Sequence, residues 1–185
     1  MLNINTNKKK TFDKIIVLFF FLIYFVVGNK VFSSYGISID EEANKLLGYM
    51  TLNYINDIFF SSDLLKTDLP NLSDFLHSSK DTTVWWYDLS HGAFLVTLFA
   101  YLDILFELEE TRIQYLVRHY ACFVLFFIGV YFFYLIGKFK FKSRKLGLLG
   151  CIFLVLSPRI FAESFYNVKD IVFLSLFIIS LYCCF

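Results

Sequence analysis

A polar tract between two apolar stretches, at residues 157–170, contains side chains of the types that bind phosphate. It includes two cations, Arg159 and Lys169, and the anion Asp170. Charges at the edge of lipid hydrocarbon cost roughly 2 to 4 kcal/mol each to insert, and they mark functional sites in membrane proteins. Arginine forks onto phosphate oxygens and lysine supplies a point charge, so the tract suits a lipid-linked phosphate. The alternative is that Lys169 and Asp170 only flank the next apolar stretch, while Glu163 pairs with Arg159.

A second group, Asp40, Glu41 and Glu42, follows the first apolar stretch. Paired carboxylates can hold a divalent cation, and one of them can take a proton from an attacking hydroxyl. We therefore predict Asp40 and Glu41 as catalytic residues and as the ligands of any divalent cation. The alternative is a helix start, because Ser38 followed by Glu41 is a capping-box pattern and acidic residues complement the helix dipole.

Two further candidates lie between these groups. His91 follows Tyr87 and Asp88 at the predicted start of a helix, and Arg118 opens an apolar stretch. Both are predicted to bind substrate. The alternative is that His91 is a surface or capping residue and that Arg118 reaches up to lipid headgroups, as arginines at the ends of membrane spans do.

The composition places these residues in a membrane. Hydrophobic residues make up 58% and aromatic residues 21% of the 185 residues, whereas soluble domains are about 45 to 50% apolar. A formal net charge of +1 offers no basic excess for nucleic acid, so no nucleic-acid partner is expected. The four cysteines fall inside apolar runs and lack the spacing of a zinc site, which predicts that they act as small apolar residues.

The elements that must position the candidates are four membrane spans and one long external loop. The predicted spans cover residues 15–35, 118–137, 146–162 and 170–185, and the loop covers 36–117. Basic clusters at 8–14 and 138–145 must share the cytoplasmic face, because short basic loops stay inside. An even number of spans must separate them, so the short apolar stretch 94–106, interrupted by Asp103, is predicted to lie in the membrane interface. The loop and the polar tract then share the outer face.

Two features refine these elements. Helical spacing within the loop predicts an amphipathic helix that lies on the membrane. Its apolar face would carry Ala43, Leu47, Met50, Tyr54 and Ile58, and its polar face Asn44, Lys45, Asn53 and Asn56. In the third span, Pro158 removes a helix donor and forces Ser157 toward an extended conformation, so the helix is predicted to break after Leu156 and to line a cavity. The last span stops at Phe185 with no flank, which predicts an N-terminal fragment of a longer protein.

Taken in order, these motifs resemble the N-terminal part of the GT-C membrane glycosyltransferases, especially the bacterial relatives of the dolichyl-phosphate-mannose protein mannosyltransferases. The resemblance rests on the segments 37–42 and 156–171, on His91, on Arg118 at the start of a span, and on the basic turn. It implies an all-α, multispanning membrane enzyme whose external loop carries juxtamembrane helices over the site.

The resemblance also implies a reaction and a location. A sugar would move from a polyprenyl-phosphate donor to a lipid, glycan or protein acceptor on the outer face of a bacterial plasma membrane. The family's acidic pair, which serves the acceptor or a metal, corresponds to Asp40 and Glu41, with Asp40 as the base. The residues expected to bind substrate are His91, Arg118, Arg159, Lys169 and Asp170. The fragment alone is expected to be inactive, and two alternatives stay open: a transporter or channel fragment with a broken helix, and a noncatalytic membrane remnant.

Overall fold

The structure, a computed structural model, describes residues 2–59 and 92–184, and every regular element in these two ranges is helical. The described part of the chain contains seven α-helices, and a 3-10 turn at Phe32–Ser34 extends the first. They are α1 Leu2–Val31, α2 Ile39–Phe59, α3 Phe94–Leu105, α4 Thr111–Lys140, α5 Arg144–Leu156, α6 Pro158–Tyr166 and α7 Asp170–Cys183. The prediction of an all-α protein is confirmed for these residues.

Two of the described segments are long and apolar enough to cross a membrane. They are Thr11–Ser34, which joins the apolar part of α1 to the 3-10 turn, and Thr111–Lys140, which is α4. A third span results if α5 and α6, bent by 71° at their junction, count as one. Helices α3 and α7 are apolar but shorter than the ~20 residues that a straight span needs. The chain therefore has the helices of a membrane protein, while the fourth span and the external position of residues 36–117 stay predictions.

The chain divides into two compact units. The first comprises Met1–Gly36 and His119–Phe185, and thus α1, most of α4, and α5 to α7. The second comprises Ile37–Arg118, and thus α2, α3 and the first turns of α4. The polar tract belongs to the first unit, and the acidic group at Asp40 belongs to the second.

Stacked aromatic rings form the core of the first unit. The rings of Phe123 and Phe165 lie 5.4 Å apart between centroids, and Tyr35 stacks on Phe165 at 4.8 Å. Phe165 and Cys151 are fully buried. Because Tyr35 follows α1 and Phe165 belongs to α6, helix α6 lies at the C-terminal end of α1.

The two basic clusters meet at the opposite end of this unit. Lys145 Nζ lies 3.8 Å from Asp13 Oδ1, and Lys14, Lys138 and Arg144 line one groove. Asp13 and Lys14 of α1 therefore lie near the end of α4, and because Phe21 packs on Tyr134 and Phe32 on Tyr120, the two helices run antiparallel. The described members of the two clusters thus lie at one end of this unit, and a shared cytoplasmic face stays a prediction.

The predicted break after Leu156 is also confirmed. Ser157 has an extended backbone (φ −64°, ψ 114°), and Pro158 occupies the first turn of α6. In the first turn of a helix the backbone N–H makes no intrahelical hydrogen bond, so proline, which lacks that N–H, is tolerated there. The predicted span 146–162 is therefore two helices, α5 and α6, that differ in direction by 71°.

Helices α2 and α3 approach closely in the second unit. A Cβ atom on Gly48 would lie 2.3 Å from the carbonyl oxygen of Val96, a distance that no real Cβ atom adopts. Only glycine therefore permits this helix crossing.

The amphipathic helix predicted for the loop corresponds to α2, and its position on a membrane stays a prediction. Tyr54 and Ile58, on the predicted apolar face, are 66% and 54% exposed, which a face turned toward lipid allows, whereas Asn44 and Asn56, predicted on the polar face, are each 4% exposed. The two asparagines are spaced four and eight residues from Gly48, and thus lie on the side of α2 that meets α3. The close crossing therefore buries residues that the apolar stripe leaves out.

Candidate functional site

The polar tract presents an arginine on the surface of α6. Arg159 Nε donates a hydrogen bond to Glu163 Oε1 at 2.7 Å, one helical turn away. The side chain of Arg159 is 86% exposed and that of Glu163 is 20% exposed. This is the ion pair of the alternative interpretation, and it engages one of the guanidinium nitrogens. Among the described residues, both Nη groups lack a protein acceptor, so most of the guanidinium donors face outward.

Asn167 connects this pair to the start of α7. Its Oδ1 accepts hydrogen bonds from the backbone N–H groups of Lys169 at 3.1 Å and Asp170 at 2.8 Å, which caps the helix. Its Nδ2 donates to Asp170 Oδ2 at 3.0 Å and reaches Glu163 Oε2 at 3.5 Å. A chain of polar contacts therefore runs from Arg159 through Glu163 and Asn167 to Asp170, and it brings two of the predicted substrate-binding residues together.

The acidic group forms the first turn of α2. The backbone N–H of Ser38 donates to Glu41 Oε2 at 2.6 Å, and Glu41 is only 3% exposed. The capping interpretation of Glu41 is thus confirmed, while its catalytic assignment stays a prediction. Asp40 and Glu42 in the same turn are exposed. Asp40 is therefore the predicted catalytic carboxylate that a ligand can reach directly.

No group of three or more His, Cys, Asp or Glu side chains suited to a metal ion occurs among the residues that the structure describes. A divalent cation on Asp40 and Glu41 stays a prediction. His91, predicted to bind substrate, lies outside the described residues.

Arg118 lies in a buried ion pair with Asp103. Its Nη2 donates to Asp103 Oδ2, its Nη1 to Asp103 Oδ1 at 3.3 Å, and both side chains are 4% exposed. Arg118 Nη1 also donates to the carbonyl oxygen of Gln114 at 2.8 Å, and the hydroxyl of Tyr49 donates to Asp103 Oδ2 at 2.9 Å. The pair therefore joins α2, α3 and α4. The substrate-binding role of Arg118 stays a prediction, and its partner here is the protein itself.

This buried pair shapes the electrostatics around it. Burial and the hydrogen bond to Asp103 raise the pKa of Tyr49 to about 12, because ionisation would place a second anion beside the carboxylate. Burial, and then the nearby Arg118 guanidinium, lower the pKa of Lys45. The ammonium of Lys45 lies 5.9 Å from the ring centroid of Tyr49 and 5.3 Å from that of Tyr115, within cation–π range. The charged groups of Arg118, Asp103 and Lys45 are therefore neutralised or stabilised by neighbouring protein groups.

The sequence interpretation missed Asp103, Tyr49 and Asn167 as partners of the predicted residues. Asp103 was treated as a defect in an apolar stretch, although an ionisable residue in such a stretch requires a partner. Asn167, three residues before Asp170, carried the signal of a helix cap. Nothing in the spacing distinguished Tyr49 from the other tyrosines of the chain.

Comparison with known proteins does not assign the chain to a family. No protein-family model matches it, and neither does a curated protein or a solved structure. The functional argument therefore depends on the residues and their geometry.

Proposed function

We propose that the chain belongs to a membrane glycosyltransferase that moves a sugar from a polyprenyl-phosphate donor to a hydroxyl acceptor. The observation that carries the proposal is the exposed guanidinium of Arg159 on α6, beyond a proline break at the end of an apolar helix. A phosphate whose lipid tail lies in the bilayer meets the protein at such a helix end. Arginine donors facing outward at that level can grip the phosphate oxygens in a fork.

The departing phosphate is the charge that the enzyme must stabilise. The bond from the anomeric carbon to the phosphate oxygen breaks, the acceptor oxygen bonds to that carbon, and polyprenyl phosphate leaves with the electron pair. Arg159 and Lys169 hold this developing charge, while Asp170 orients the sugar hydroxyls. Glu163 pairs with Arg159 when no donor is bound, so the guanidinium is held in place beforehand.

The acceptor hydroxyl must lose a proton, and Asp40 takes it. Asp40 is exposed, whereas Glu41 is engaged by the backbone of Ser38. An exposed carboxylate can reach an acceptor hydroxyl and is therefore the better placed general base. Arg118 positions helices α2, α3 and α4 through its buried pair with Asp103. His91 contacts the substrate.

The finer topology belongs to the same proposal: four spans in a bacterial plasma membrane, a cytoplasmic N-terminus and an external loop at residues 36–117. Single cysteines that replace Lys140 and Arg159 in a cysteine-free background test it. An impermeant maleimide added outside intact cells should label the cysteine at position 159 and spare the one at position 140. Labelling at 140 from outside would overturn this topology.

Turnover of Asp40→Asn tests the reaction itself. In native membranes that contain the full-length protein and are supplied with saturating donor, Asp40→Asn should slow transfer by about a hundredfold, since asparagine keeps the size of the side chain but cannot accept the proton. Glu42→Gln is the matched control, because it removes the same charge from an exposed position in the same helical turn. Wild-type turnover in Asp40→Asn would remove the catalytic role.

A transporter is the second candidate, and the break between α5 and α6 favours it, because discontinuous helices line substrate paths in transporters. Proteoliposomes loaded with a polyprenyl-phosphate sugar distinguish the two functions. Cleavage of the sugar–phosphate bond in the presence of acceptor supports the transferase. Movement of the intact lipid across the bilayer without cleavage supports the transporter.

A further inference from the structure

A groove of about 420 Å³ opens in the first unit, between residues 14–21 of α1 and the C-terminal part of α4. Its rim carries three cations from three helices: Lys14 of α1, Lys138 of α4 and Arg144 of α5. Its walls are aliphatic and aromatic, formed by Val17, Leu18, Phe21, Phe127, Tyr131 and Tyr134. An apolar channel with a cationic mouth has the two-part chemistry of a lipid with a charged headgroup.

The three charged residues that line the groove in the described part of the chain are all cations. The carboxylate of Asp13 lies 3.8 Å from Lys145 Nζ. Cations beside an apolar wall attract an anionic headgroup. The fork of an arginine and the point charges of two lysines match the oxygens of a phosphate.

We propose that this groove binds an anionic phospholipid, with the headgroup phosphate among Lys14, Lys138 and Arg144 and one acyl chain along the apolar wall. Basic pockets between membrane-spanning helices bind anionic headgroups in this way. The site differs from the donor site proposed above, because α6 lies at the other end of α1, where Tyr35 stacks on Phe165. Its ligand would bridge α1, α4 and α5 at the end where their basic residues meet.

Lipid binding by the purified protein tests the proposal. Native mass spectrometry of the protein in detergent should show binding of palmitoyl-oleoyl phosphatidylglycerol at concentrations where phosphatidylcholine with the same chains does not bind. Each cation near an anionic headgroup contributes about fivefold, so Lys138→Gln with Arg144→Gln should weaken phosphatidylglycerol binding by roughly twentyfold.

The matched control is Lys140→Gln with Lys142→Gln. These two exposed lysines belong to the same basic turn but do not line the groove, so the pair removes two charges while leaving the site intact. Less than about a twofold change is expected there, since exposed charges away from a ligand are screened by salt. Equal losses in the two double variants would overturn the proposal, because they would show attraction to the basic surface as a whole.

Two further measurements complete the test. Lys14→Gln changes an exposed residue on α1 and should by itself weaken phosphatidylglycerol binding by about fivefold, even if the double variant fails to fold. Glycerol phosphate, which has the headgroup without the chains, should not compete at the concentrations that saturate the lipid. Full competition by glycerol phosphate would overturn the lipid site in favour of a simple anion site, and an unchanged Lys14→Gln would overturn the assigned headgroup position.

Discussion

Two arginine–carboxylate pairs in this chain share their chemistry and differ in their surroundings. Arg118 and Asp103 are each 4% exposed and come from different helices, with Tyr49 as a third partner. Arg159 and Glu163 lie one turn apart on α6, and the arginine is 86% exposed. The second pair lies at the surface of the chain, and the first is enclosed by protein.

The difference assigns the two arginines to different tasks. Taking two charges out of water is costly, and a buried pair survives only when both partners and their further hydrogen bonds are in place. Arg118 is therefore committed to holding α2, α3 and α4 together. An exposed pair contributes little to stability, so a ligand phosphate can replace the carboxylate at Arg159 with little loss.

The largest effect is expected where one buried charge is orphaned. Asp103→Asn leaves the Arg118 guanidinium buried without its anion, which should lower the free energy of unfolding by about 3 to 5 kcal/mol. Unfolding by sodium dodecyl sulfate in mixed micelles measures it. Replacing both partners, Asp103→Leu with Arg118→Met, should cost less than the single change, because no charge then stays buried. If the double variant lost as much stability as Asp103→Leu and Arg118→Met lose when added together, the result would contradict the pairing.

A smaller effect is expected at the helix crossing that brings Tyr49 to Asp103. Gly48→Ala places a methyl group against the Val96 carbonyl oxygen. It should destabilise the protein by about 1 to 3 kcal/mol, although alanine is the better helix former. Gly92→Ala is the control, because no atom lies within 4 Å of its added methyl group. If both variants unfold at the same detergent concentration, α2 and α3 do not approach as closely as described.

The smallest effect is expected at the exposed pair. Glu163→Gln should leave the unfolding midpoint in the same titration unchanged within error, since exposed pairs separated by one helical turn are worth little. A loss comparable to that of Asp103→Asn would erase the contrast between the two pairs.

Local signals in the sequence predicted most of the fold. The helix break follows from Pro158 and its effect on Ser157, and the cap at Glu41 follows from its three-residue distance to Ser38. The common end of the basic clusters follows from the rule that short basic loops stay on the cytoplasmic side. Each of these signals lies within a few neighbouring residues or within one apolar span, so it can be read from a single sequence.

Contacts between helices could not be predicted in this way, because their partners are distant in sequence. Asp103 pairs with Arg118 of the next helix, and Tyr49 donates a hydrogen bond to Asp103 across 54 residues of chain. The buried side of α2 depends on the crossing at Gly48, and so Asn44 and Asn56 are buried against the apolar pattern. The pattern of apolar residues in α2 does not reveal that a glycine lets a neighbouring helix pack closely against it.

Equilibrium binding of a polyprenyl-phosphate sugar to Arg159→Ala and Glu163→Gln tests the central claim most directly. If the exposed guanidinium holds the donor phosphate, Arg159→Ala should weaken binding about tenfold, the scale of a charge-assisted hydrogen bond. Glu163→Gln removes the competing carboxylate and should leave binding unchanged or make it tighter. Weaker binding by Arg159→Ala together with unchanged or tighter binding by Glu163→Gln is the predicted result. Donor binding by Arg159→Ala that equals that of the wild-type protein would contradict the account.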